Sequence, residues 1–257
     1  MQKRMPWLML AAAVVFSLVL VYPYLALDIQ KSRIDVSGAL RYGVLVTHIF
    51  TAAVALVLGP LQFSPKVRAR PRIHRSIGRC YLAVGVVPSG LTAIPVAVWS
   101  GRLLTQVSLS TAAALWLITG GLGYRAARRR DFAAHRDWMM RNYALTFLAV
   151  TARIFVPLLL LVQIPFGRVA AGEIGTQAPS MIPLGQTLAW IVNLAVIEAV
   201  IRTRRRRKWK DRGQPDMQEV SRDVEQCRTD ARVADGRART RRGFGPSSGH
   251  PAGRLRG

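Results

Sequence analysis

Acids are scarce in this chain: 13 Asp and Glu stand against 37 Lys and Arg over 257 residues. Yet 51% of the residues are hydrophobic, and no single solvent suits both facts. A membrane protein with basic edges does. Cysteine is scarcer still. Cys80 and Cys227 are the only two, and the orientation derived below puts both on the side where thiols stay reduced, which argues against a disulfide framework. Neither forms a Cys-x-x-Cys or another spaced metal motif. Also missing are a Gly-rich phosphate loop before Lys-Ser/Thr, a His-Glu-x-x-His pair and a Gly-x-Ser-x-Gly elbow, so hydrolysis and phosphoryl transfer have no visible machinery.

What is present is apolar length. Runs of about 20 apolar residues cross a hydrocarbon core roughly 30 Å thick at about 1.5 Å rise per residue. Six runs qualify, at 7–27, 44–63, 80–99, 104–124, 143–164 and 183–201. The fourth is the least apolar, and without it the two basic stretches discussed below would fall on opposite faces. The reading is an all-α integral membrane protein, a bundle of six transmembrane helices.

Lys and Arg set the orientation, because cytoplasmic loops retain positive charge during insertion. Lys3 and Arg4 precede the first run. Lys66, Arg68, Arg70, Arg72, Arg75 and Arg79 follow the second, Arg125, Arg128, Arg129, Arg130, Arg136 and Arg141 follow the fourth, and Arg202 with Arg204 to Arg207 follow the sixth. The other connections carry Asp28, Lys31, Arg33, Asp35 and Arg41, then Arg102, then Arg168 with Glu173, each close to neutral. Both termini are thus expected in the cytoplasm. The first run has the basic start of a secretory signal, but "VYPYLALD" offers no small-x-small cleavage site, so it reads as an anchor.

From Thr203 the composition turns to Arg, Asp, Gly, Ser and Pro, the signature of a disordered basic tail. Its opening "RTRRRRKWK" suits anionic lipid headgroups, which attract each basic residue by about 1 kcal/mol. The later part mixes acids with bases and lacks interleaved aromatics, so no specific nucleic-acid partner is expected.

Two stretches repeat one order of residues. "RARPRIHRSIGRCY" at 68–81 and "RRRDFAAHRDWMMRNY" at 128–143 each run from basic residues through His-Arg to Arg and Tyr. The pairing sets His74, Arg75, Arg79 and Tyr81 against His135, Arg136, Arg141 and Tyr143, with a one-residue offset. Spans two/three and four/five therefore read as candidate parallel repeats. His74 and His135 should lie at one depth on the cytoplasmic face, where two imidazoles on different helices can ligate a metal or a haem iron. Alternatively they bind lipid phosphates together with Arg75, Arg79, Arg136 and Arg141.

Other ionisable groups lie inside the spans. His48, in "VLVTHIFTAAV", is about four residues from the outer edge and is either a functional group or a neutral imidazole bonded to a neighbouring helix. Arg153, in "LAVTARIFVP", lies roughly 15 Å from the cytoplasmic end, where a guanidinium costs at least about 2.5 to 3.5 kcal/mol. It must face something polar: Glu198, the only acid inside a span, or a bound anion such as a haem propionate. The breakers Gly59-Pro60, Pro88, Pro95 and Pro157 free backbone carbonyls, which Asn193, Gln62 or Thr92 are placed to cap.

The segments "THIFTAAVALVLGPLQFSPKVRARPRIHRSIGRCY" and "YRAARRRDFAAHRDWMMRNYALTFLAVTARIFVP", within 44–157, resemble the bacterial membrane family catalogued as domain of unknown function 2306. The shared elements are His48; Gly59, Pro60, Gln62 and Phe63; His74, Arg75, Gly78, Arg79 and Tyr81; His135, Arg136, Trp138 and Met139; Tyr143, Ala144, Leu145 and Thr146; and Arg153 with Pro157. Ile73 replaces the Leu common before the first His-Arg. The resemblance implies a multi-pass membrane protein and no assigned reaction. By fold analogy alone, a helical bundle with interfacial histidines is similar to the transmembrane cytochromes b. Only His48, His74 and His135 lie in the bundle, so at most one bis-His haem b fits, on His74 and His135, with His48 and Arg153 as further candidates near a cofactor and Met139 as an alternative ligand. Two functions stay open: a haem-binding electron carrier, and a non-catalytic membrane module for lipid binding, assembly or passage of a small solute.

The resulting layout is an N-terminal anchor and external loop at 1–43, a family-like four-helix core at 44–164, an external loop and sixth helix at 165–202, and the tail at 203–257. Reporter fusions after Ser64, Ser100, Arg130 and Ala170 are expected to report inside, outside, inside, outside. A periplasmic signal at Arg130 would overturn this topology.

Overall fold

The computed structural model describes residues 5–26, 38–166, 174–213, 221–222, 224–229 and 231. Among them there is no strand. The helices are α1 (Met5–Val21), α2 (Ala39–Phe63), the short α3 (Pro65–Arg68), α4 (Pro71–Cys80), α5 (Val87–Val98), α6 (Leu103–Arg128), α7 (Phe132–Thr146), α8 (Leu148–Gln163) and α9 (Ile174–Gly213). A π-helical turn, Tyr81–Val86, joins α4 to α5. Six helical stretches are long and apolar enough to cross a membrane: Trp7–Tyr24, Ala39–Phe63, Pro71–Val98, Leu103–Arg128, Leu148–Phe166 and Pro179–Arg207. The chain is a multi-pass membrane protein. Its outer surface carries large apolar side chains such as Leu8, Leu91, Val107, Ile118, Leu158 and Val196, all more than half exposed, which is favourable only where the solvent is hydrocarbon.

Two features depart from the sequence reading. The fifth run is divided at Phe147, where α7 ends and α8 begins. The carbonyl of Ala144 near this break is taken by Asn193 Nδ2 at 3.0 Å, and Asn193 Oδ1 accepts from Thr151 Oγ1 at 3.1 Å. In addition, the tail does not lose structure at Thr203, because α9 continues through the arginine run to Gly213. Arg and Lys are good helix formers, and no breaker intervenes before Gly213 and Pro215. Residues 221–222, 224–229 and 231 are also helical. The rest of the expected disordered tail, and the connections at 27–37 and 167–173, lie outside the described residues. Met1–Ile201 and Arg202–Gly257 form separate compact units.

The bundle core is built around polar groups that hydrocarbon cannot satisfy. Pro60 lies inside α2 and has no N–H to give to the carbonyl of Leu56, four residues earlier. Tyr143 Oη on α7 donates to that carbonyl at 3.2 Å. Its ring needs the missing side chain of Gly59, since a Cβ there would stand 1.9 Å from Tyr143 Cε2. Nearby, Tyr81 Oη donates to Asn142 Oδ1 at 2.6 Å and lies 2.8 Å from Thr146 Oγ1, which accepts from Trp116 Nε1 at 2.9 Å. Asn142 Nδ2 donates to Trp116 O at 2.6 Å and Thr119 Oγ1 at 3.0 Å. The π-turn, α6 and α7 are thereby locked together, with the polar side-chain atoms of Tyr81, Trp116, Asn142 and Thr146 paired. Ala55, Val86 and Leu145 fill the apolar space around these groups. Gly85 meets Ala55 closely enough that an added Cβ would lie 2.9 Å from the Ala55 Cβ, so two small residues set the approach of α2 to the π-turn.

This core predicts a coupled pair of mutations. Tyr143→Phe should cost about 1–3 kcal/mol by stranding the Leu56 carbonyl, and Gly59→Ala should cost about as much or more by driving the ring out. In the double variant the Tyr143→Phe increment should largely vanish, because the hydroxyl has already left its acceptor. Denaturant unfolding in a fixed detergent measures this. Additive costs would show that the two residues do not share one contact.

Candidate functional site: a histidine pair at the basic end

α4 and α7 both begin at the end of the bundle that carries the arginine clusters. Their histidines meet there: the rings of His74 and His135, 61 residues apart in the chain, have centroids 6.4 Å apart and planes at 89°. Each helix is positioned by what precedes it. α4 starts at Pro71, whose missing N–H is no loss in a first turn. α7 starts after the turn at Arg129 to Asp131, in which Arg130 adopts a left-handed φ of 60° and Asp131 Oδ1 accepts from Ala134 N at 2.9 Å. That tight turn returns His135 beside α6, where its Nδ1 lies 2.8 Å from the Gly123 carbonyl. A carbonyl only accepts, so Nδ1 carries the proton and the Nε2 of the neutral ring keeps its lone pair. His74 Nδ1 is buried and has no partner.

The four arginines of the two repeated stretches divide by environment. Arg75 and Arg79 are exposed, and Arg75 Nε donates to Pro71 O at 3.2 Å. Arg136 Nη2 lies 3.6 Å from Asp137 Oδ1, while its Nε is buried without a partner. Arg141 is committed to the protein. Its Nε and Nη2 donate to Glu198 Oε2 at 3.0 and 2.7 Å, and its guanidinium covers the Trp138 ring at 4.8 Å. The intramembrane acid therefore meets Arg141 on α7, a residue closer to its own depth than Arg153.

Arg153 and His48 are not gathered with the pair. Arg153 is exposed on α8, and its Nη1 donates to Ala149 O at 2.7 Å, one turn back on its own helix. It stands eighteen residues beyond His135, roughly 27 Å along the helical path. His48 lies towards the other end of α2, with Nδ1 2.9 Å from Ser89 O and 3.1 Å from Ser89 Oγ, so it ties α2 to α5. Met139 lies on Gly123, where an added Cβ would stand 2.7 Å from its Sδ. Thr92 Oγ1 donates to Pro88 O at 2.7 Å, one turn back on its own helix, and so does not cap a carbonyl that a proline frees.

Two kinds of residue escaped the sequence reading. Asn142 and Trp116 carry the buried network that orients α7, and Ser89 holds His48. A polar side chain embedded in an apolar run was the available signal, but its partner could be read only once the helices were neighbours. Among the described residues no group of three or more His, Cys, Asp or Glu is assembled in the manner of a protein-only metal centre. The arrangement offers two imidazoles and a rim of guanidinium groups.

Neither a curated protein nor a solved structure matches the chain. A family described as a predicted membrane protein matches residues 45–201, from α2 through the apolar part of α9 and including both histidine stretches. With more than half of its length covered, the chain belongs to that family, domain of unknown function 2306.

Proposed function

We propose that the chain is a membrane electron carrier that holds one b-type haem between His74 and His135, at the cytoplasmic end of a bundle in the bacterial plasma membrane. The observation that supports this reading is the meeting of the two imidazoles. Side chains ligating one metal at roughly 2.0 Å each have ring centroids about 6 Å apart, close to the 6.4 Å separation of this pair. A haem would also ask little of the protein, since the porphyrin itself carries the iron and His74 and His135 would be the only protein ligands needed. That suits a chain with few other ligands to gather.

When bound, haem supplies reversible one-electron chemistry at its iron. The protein's part is ligand basicity and charge. The Gly123 carbonyl, by accepting the His135 Nδ1–H, fixes the tautomer and makes Nε2 the stronger donor. Arg75 and Arg79, exposed on the same helix as His74, would neutralise propionates. Arg153 lies too far along α8 for that role, Arg141 is already held by Glu198, and His48 has a structural partner in Ser89, so none of the three enters the proposed site.

A second reading has its own support. Arg136 Nε is buried without an acceptor, and with the exposed Arg75 and Arg79 it suits an anionic lipid headgroup, as a non-catalytic lipid-binding module would use. Protein purified from a haem-replete host separates the two. The electron-carrier reading predicts a haem absorption band that His74→Ala and His135→Ala each abolish and His48→Ala leaves largely intact. Colourless protein with both variants folded would exclude it and leave the headgroup reading.

A further inference from the structure

α9 does not end where its apolar stretch ends. Ile201 is buried, and the residues after it, Arg202 to Arg207, are all exposed and all helical. They close the last stretch long and apolar enough to cross a membrane, Pro179–Arg207, and they lie beyond the family-matched residues 45–201. Trp209 follows and is 76% exposed. Four arginines in a row mean something different on a helix than in a loose chain. At about 100° per residue, Arg204, Arg205, Arg206 and Arg207 point in four directions that divide the whole circumference, within a rise of about 4.5 Å. No side of α9 at this level is left without a guanidinium.

Such a collar repels itself. Arg202 and Arg205 are three residues apart, as are Arg204 and Arg207, and Arg202 and Arg206 are four apart; like charges at these spacings on a helix destabilise it. Between Glu198 and Asp211 the chain holds no acid, so the stretch supplies no counter-charge of its own. A flat acidic partner would meet one side of the helix and leave the others. The medium that meets every side of a helix where it leaves a membrane is the lipid around it. We propose that Arg204 to Arg207 form a collar for a shell of anionic lipid headgroups, whose phosphates accept charge-assisted hydrogen bonds from the guanidinium groups. Trp209 suits the same level, since indole rings concentrate at membrane–water interfaces, with an apolar body and one N–H donor. This site shares no residue with the histidine pair or with Arg75, Arg79 and Arg136, and it needs no haem.

The full chain in lipid nanodiscs tests this through Trp209. Its emission is isolated as the difference between the wild type and Trp209→Phe, and it is quenched by lipids brominated high on their acyl chains. In a phosphatidylcholine disc, brominated phosphatidylglycerol should quench Trp209 more than brominated phosphatidylcholine does at the same mole fraction, as an enrichment of about fivefold beside the ring would give. The preference should weaken with added salt. It should vanish when Arg204→Gln, Arg205→Gln, Arg206→Gln and Arg207→Gln are combined, a change that keeps good helix formers at exposed positions, and should survive Arg75→Gln with Arg79→Gln. Equal quenching by the two lipids overturns the proposal, and so does a preference that survives the fourfold substitution. Equal quenching together with binding of single-stranded RNA that the fourfold variant loses would assign the arginines to nucleic acid instead. If the fourfold variant fails to insert, the wild-type comparison of the two lipids still decides the matter.

Discussion

Hydrocarbon offers no partner to an N–H, a carbonyl or an amide, and the rest of this bundle follows from how its interior polar groups find one another. The contact on which most depends is Tyr143 Oη to the Leu56 carbonyl. Pro60 creates the need by withholding an N–H, Gly59 gives the ring its place, and the bond joins α2 to α7 although 87 residues separate the partners. Asn142, next in the chain, faces the other way and binds Trp116, Thr119 and Tyr81. One short segment of α7 therefore clamps α2, α6 and the π-turn together. Each of these bonds contributes only about 1 kcal/mol net, but leaving any such group unpaired costs about 1–3 kcal/mol, and that asymmetry makes the arrangement specific.

The clamp fixes what lies two turns before it on α7. His135 is seven residues before Asn142 and His74 seven before Tyr81, so the bond between Tyr81 and Asn142 aligns the two helices in matching register. Equal offsets on helices running in the same direction bring the two histidines to one level. Their 6.4 Å approach is then a consequence of the buried network. The Arg141–Glu198 contact adds α9 to the same end of the bundle, and Arg75 and Arg79 remain exposed on α4.

Much of this was legible in the sequence, because the membrane imposes simple rules of length and charge. The six runs, their basic ends and the repeated His-Arg order required only counting, and the repeat foretold the shared level of His74 and His135. The pairings within the bundle were less accessible. Glu198 met Arg141 rather than Arg153 because α9 lies beside α7 at that depth, and no spacing in the chain encodes that adjacency. The carbonyl freed by Pro60 was taken by a tyrosine 83 positions later, whereas the nearer polar residue, Gln62, lies against Gly78. The end of α9 was misplaced for a different reason: arginine marks both disordered tails and stable helices, and only the first glycine and proline beyond it distinguish the two.

The proposal most in need of a test is that His74 and His135, brought together by the buried network, hold a single haem iron. Low-temperature electron paramagnetic resonance of the oxidised, purified protein addresses it most directly. If His74 and His135 hold the haem, a low-spin ferric signal is expected that gives way to a high-spin one when either is replaced. A high-spin signal in the wild type, or no ferric haem signal at all, would contradict it.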